Sequence, residues 1–190
     1  MSVVEEFIVN YGGEEAFEGL TTTDVCETIL KPITAPNNCS YCDILMAAQH
    51  LGVGVANVFI SHAWKYKFLD VLEALKYHFQ DQPDIIVWFD LFSNNQHGTG
   101  SRDFNWWCNT FKSAIADFGH VVMVLAPWQD PIPLRRAWCL FELYCSIECK
   151  VKFEVAMSLS EQLAFLNKII KNSSGEVNAM LSIINCEKSE

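Results

Sequence analysis

Three runs rich in β-formers, VANVFISHA (residues 55–63), IIVWFDLF (85–92) and HVVMVLAP (120–127), are apolar along most of their length rather than at alternate positions. A strand with one wet face alternates; a strand apolar throughout is covered on both sides. Between these runs lie segments of helical period. Residues 66–79 place Phe68, Leu72, Leu75 and Phe79 at spacings of four, three and four, and helices are also expected over 106–118, 134–149 and 160–171, with VKFEVA (151–156) as a fourth strand. Alternating strands and helices need right-handed crossovers, which build a parallel sheet with helices on both faces. The expected fold is therefore α/β, a three-layer sandwich. After residue 172 the pattern fades, and 179–184 reads equally as a short strand or a helix.

Two helices precede the repeating part. Residues 1–20 are acidic and glycine-dotted and read as a loosely held lead-in. Residues 21–31 read as a helix with Asp24-x-x-Glu27 as its capping box and Pro32 as its stop. A second helix runs from Ser40-x-x-Asp43 to Gly52. We assign 1–54 as an N-terminal helical extension and 55–190 as the α/β domain.

A net charge of −10 with no Lys/Arg run leaves no electrostatic footprint for nucleic acid or for an anionic membrane. No apolar stretch reaches membrane-spanning length and the first residues lack a basic leader, so a cytoplasmic protein is expected. Of the eight cysteines, four fall in segments read as buried helices or helix ends, and reduced thiols are expected. Cys39-x-x-Cys42 has no histidine at finger spacing, and no metal is expected.

The helix within PIPLRRAWCLFELYCSIEC (131–149) carries one carboxylate, Glu142, among Trp138, Leu140, Phe141, Leu143, Tyr144 and Ile147. A buried acid is costly unless it is paired or used, so Glu142 is either half of a structural pair or a functional group. Ligands of open parallel sheets bind beyond the carboxyl ends of the strands. Here those ends are Ser61, His62, Ala63 and Trp64, then Asp90, then Trp128, flanked by a polar loop (93–105) containing Asn94, Asn95 and His97. Trp106 and Trp107 read as helix–sheet packing. Polar groups beside aromatic faces suit a flat, hydroxyl-rich ligand.

NVFISHAW, VWFDLF, VVMVLAPW and RRAWCLFEL, in this order over residues 55–171, together resemble the Toll/interleukin-1 receptor (TIR) domain family. The most specific piece is Trp138-Cys139-x-x-Glu142-Leu143, which resembles that family's W-C-x-x-E-L helix. The resemblance implies a flavodoxin-like sheet of order 2-1-3-4(-5) and one of two activities. Some members assemble signalling complexes; others cleave NAD+ in immune or cell-death signalling, with the glutamate of this helix as the catalytic carboxylate. By position that residue is Glu142. Ser61, His62, Ala63, Trp64 and Asp90 would then line the pocket, together with Trp138, and Asn94, Asn95 and His97 would lie in its loop. Trp64 or Trp128 would stack on a ring, and Arg135 or Arg136 would meet the pyrophosphate. NAD+ is then a substrate, no cofactor is implied, and TIR–TIR self-association is the expected partnership. The loop after the second strand reads SNNQHGTGSRDFN in place of the family's arginine-aspartate-proline-glycine signature, which weighs against scaffold-type recognition. A nucleoside (deoxy)ribosyltransferase-like enzyme remains a third reading, since it too sets a carboxylate beside a ribosyl carbon. There is a geometric condition: Glu142 lies eight residues beyond Leu134, roughly 12 Å along a helix, and meets the strand ends only if the helix tilts or starts late.

Overall fold

The computed structural model describes residues 2–82, 84–98, 104–171, 175–182 and 184. Strands β1 (Val58–Ser61), β2 (Val87–Trp88), β3 (His120–Val124) and β4 (Lys152–Ala156) are all parallel and lie in the order β2-β1-β3-β4. This is the flavodoxin-like order expected from the sequence, with four strands among the described residues. Phe59 of β1 is in register with Val121 of β3, and Ser61 with Met123. Alternation then sorts the side chains into two cores. Val58, Ile60, Val122, Val124 and Ala156 face helix α6 (Phe68–His78) and the N-terminal helices. Phe59, Val121 and Met123 face α8 (Phe104–Phe118) and α9 (Ala137–Glu148).

The first twenty residues are not a loose lead-in. Helices α1 (Val3–Asn10) and α2 (Gly13–Phe17) place Phe7 and Phe17 at 0% exposure, and Phe7 meets the rings of Phe17, Tyr41 and Phe92 at 5.0–5.6 Å. A Ser2–Glu5 capping box starts α1. The acidic residues that made this stretch look solvated are on its outer side; the aromatic residues are the anchors.

Pro32 does not stop the next helix. Residues 22–34 run through α3 (Thr22–Val25), a π turn (Cys26–Leu30) and α4 (Lys31–Thr34), capped by Thr21 and Asp24 rather than by Asp24 and Glu27. Pro32 has no N–H to give the Thr28 carbonyl, and the Lys31 N–H reaches back five residues to Cys26 instead, so the chain passes the proline by widening one turn. Helix α5 (Tyr41–Ala47) starts at the expected Ser40–Asp43 box but ends before Gly52.

Paired strands are shorter than the apolar runs. Only Val87 and Trp88 of 85–92 enter the sheet, because Asp90 accepts the Leu91 N–H and turns the chain into the one-turn helix α7 (Asp90–Ser93). The expected loop 93–105 is described through residue 98 and again from 104; residues 99–103 lie outside the described residues. The helix over 160–171 is α10 (Leu159–Lys171), and α11 (Gly175–Leu181) makes residues 179–181 of the stretch 179–184 helical. No helix among the described residues is long and apolar enough to cross a membrane.

The most consequential difference is where the Glu142 helix begins. Pro131 and Pro133 hold residues 132–135 in a 3-10 turn, Arg136 is extended at φ −105 and ψ 126, and α9 starts only at Ala137. Glu142 is then five residues in, roughly 7.5 Å along the axis instead of 12. A late start brings it level with the strand ends.

Candidate active site

Ser61 is the last residue of β1 and shares its face with Phe59, so its hydroxyl points at α9. It donates to Glu142 Oε2 at 2.5 Å. One further bond ties α9 to this strand end, from the Cys139 thiol to the His62 carbonyl at 3.6 Å; within α9 itself the Ser146 hydroxyl donates to the Glu142 carbonyl at 2.7 Å. Glu142 is 8% exposed, and no cation among the described residues lies within salt-bridge distance of it. Its partner is a hydroxyl.

A cleft of about 400 Å³ opens beside this carboxyl, within the range of small-ligand sites. One wall is His62 and Trp64, with ring centroids 6.4 Å apart and planes at 23°. The other is aromatic too. Trp107 meets Phe111 at 5.5 Å, and Phe111 meets Trp138 at 5.6 Å. Asp90 sits between floor and wall, accepting the Trp64 indole N–H at 2.6 Å and facing His62 Nδ1 at 3.8 Å.

Burial sets the charges. It pushes the Glu142 carboxyl up to about 8; Asp90 pushes the same way, while the Ser61 hydrogen bond and the charge of Arg136 oppose it. Asp90 is also raised, by burial first, against the pull of His62 and the Trp64 bond. The imidazole of His62 is lowered by burial, so it is neutral at pH 7. Its side chain is 1% exposed, and neither ring nitrogen has a hydrogen-bond partner among the described residues. Buried nitrogens of this kind are costly, which marks His62 as a strained member of the cleft lining.

No protein-family model, curated protein or solved structure matches the chain. What the site can do follows from its own residues.

Of the residues singled out in the sequence, His62, Trp64, Asp90, Asn94, Trp138 and Glu142 line one cleft, with Ser61 behind Glu142. The others are elsewhere. Ala63 is fully buried in the core. Trp128 is 2% exposed and packs on Phe165 at 5.2 Å, away from the cleft lining. Arg135 pairs with Asp130, and its neighbour Arg136 is the arginine in the cleft. Asn95 and His97 turn to the N-terminal helices, bonding the Asn38 carbonyl at 2.6 Å and the Thr34 hydroxyl at 2.8 Å.

Several lining residues escaped sequence reading. Trp107 and Phe111 lie four apart on α8, a spacing that marks one face; Trp107 is half-buried against the cleft, and Trp106 is 40% exposed, neither simply core. Gln96 is buried and holds the loop by donating to the Asp90 and Leu91 carbonyls. Cys26, Glu27 and Lys31 come from the N-terminal helices, and no local pattern marks them. Among the described residues no group of three His, Cys, Asp or Glu side chains is placed to hold a metal ion. A deep carboxyl between aromatic walls can receive a flat cationic ring and stabilise positive charge developing on an attached sugar.

Proposed function

We propose that this chain is a TIR-like NAD+ glycohydrolase in which Glu142 is the catalytic carboxylate. The reading is carried by one observation: an acid buried at the floor of an aromatic cleft, bonded to a hydroxyl and not to a cation. The nicotinamide of NAD+ leaves as a neutral base from a cationic pyridinium, so cleavage needs no proton donor, unlike an ordinary glycoside with its paired carboxyls. One carboxylate suffices. As the C–N bond breaks, its negative charge stabilises the oxocarbenium ion; water then adds at the same carbon and loses a proton, giving ADP-ribose and nicotinamide.

The raised pKa of Glu142 belongs to the mechanism. Burial holds the acid largely protonated at pH 7; a pyridinium at contact distance favours the ionised form, so binding expels the proton. Trp64, Trp107 and Trp138 supply stacking faces, and Arg136 a charge for the phosphates. The test is nicotinamide release on incubation with NAD+, by concentrated as well as dilute protein, with Glu142→Gln as the control. Release that persists in this variant refutes the assignment.

A non-catalytic assembly module is the second reading. It is favoured by Leu159, Leu163, Leu166 and Ile170 along α10, 45–81% exposed at spacings of four, three and four. Self-association through such a face is compatible with either reading. Concentration-dependent sedimentation without nicotinamide release selects the module.

A further inference from the structure

The cleft is incomplete without the N-terminal helices. The π turn and the residue after it bring Cys26, Glu27 and Lys31 into its lining, with Cys26 buried and Glu27 and Lys31 on the open side, and wide turns of this kind recur at functional sites. Among the described residues Lys31 and Arg136 are the two cations in a lining that otherwise carries Glu27, Asp90 and Glu142, in a chain of net charge −10. Half-buried Asp90 and buried Glu142 at one end and the open Lys31–Glu27 pair at the other suit a ligand that is positive at one end and carries, at the other, an anion able to take Lys31 from Glu27. That a polar ligand belongs there has separate support in His62, which lines the cleft at 1% side-chain exposure and whose two ring nitrogens have no hydrogen-bond partner among the described residues, Asp90 facing Nδ1 at 3.8 Å.

Lys31 Nζ is held by Glu27 Oε1 at 2.5 Å, with the two side chains 33% and 55% exposed. A pair this open is weak, because water competes for both partners. A phosphate oxygen carries more charge and offers more acceptors than one carboxylate oxygen, so it can displace Glu27 from Lys31.

We infer that Lys31 is a specificity-determining residue: it exchanges Glu27 for the ligand's phosphates and so selects phosphate-bearing nicotinamide nucleotides over nicotinamide riboside. The inference rests on the NAD+ reading for its choice of substrates. The readout is the ratio of kcat/KM for NAD+ to that for nicotinamide riboside, which has the pyridinium and ribose without a phosphate. Lys31→Ala lowers this ratio about tenfold, the size of one charge-assisted hydrogen bond, and Lys31→Arg restores most of it. A ratio that stays at the wild-type value, or two substrates that lose activity equally, overturns the inference, since a merely structural lysine would act on both alike. Calorimetric titration with ADP-ribose needs no turnover and separates the two claims. If nicotinamide is never released but ADP-ribose binds and Lys31→Ala weakens it about tenfold, the hydrolytic reading falls and the phosphate contact stands. Equal affinities in wild type and variant remove the phosphate contact whatever the hydrolysis assay gives.

Discussion

Glu142→Gln should make the protein more stable, and more so as pH rises. The carboxyl has an ordinary value of 4.5 and is pushed up to about 8 when buried in the native state, so between those limits the unfolded chain releases a proton that the folded chain keeps. Native stability is therefore lost as pH climbs from 4.5 to 8, by about 1.4 kcal/mol per pH unit and on the order of 5 kcal/mol in all. Glutamine is the same size, stays neutral and can still accept from Ser61, so it removes the pH-dependent cost while keeping the bond. At pH 7 the variant should gain about 3 kcal/mol, which for a chain of 190 residues corresponds to a Tm roughly 6–12 °C higher. Below pH 4.5 the two proteins should converge, because both side chains are neutral. Thermal melts of both from pH 4 to 9 measure this directly. A variant less stable than wild type at pH 8, or a Tm difference independent of pH, would mean that Glu142 is a paired structural charge, and the reasoning from its burial would be wrong.

The same protonation equilibrium appears in turnover: kcat/KM for NAD+ should rise with pH and level off above about 8, as followed by nicotinamide release. Ser61→Ala removes the bond that holds the Glu142 carboxyl down, so the midpoint of that profile should move to higher pH. Trp64→Phe keeps an aromatic face but frees Asp90 Oδ2, and KM should rise severalfold with kcat less affected, by steady-state kinetics. Phe7→Ala should cost about 3–5 kcal/mol in urea unfolding, because the ring is fully buried among Phe17, Tyr41 and Phe92.

How legible the site was depends on how local its causes are. A parallel sheet covered on both faces could be read from apolar runs such as 120–127, since burial on both sides leaves a direct mark on composition, whereas the order of its strands was an implication of the family resemblance alone. Glu142, His62, Trp64 and Asp90 could be read because strand ends and an acid in an apolar helix are local features. Arg135 and Arg136 could not be told apart in the sequence, and what separates them is also visible in Glu142: the two prolines delay α9 to Ala137, so that Arg136, at its N-cap, lines the cleft and Arg135 pairs with Asp130. Trp128 ends a strand run, but the chain turns at Pro127 and buries the indole against Phe165. Lys31 and Glu27 had no local sign, because their place is set by a π turn and by packing between segments far apart in sequence.

The bonds from Asn95 to Asn38 and from His97 to Thr34 have a practical meaning for anyone cutting this gene. A fragment opening at residue 55 would keep every strand yet strip the hydrophobic underside of α6 and unfasten the segment bearing Asn94 and Gln96. The catalytic unit proposed here includes the N-terminal helices.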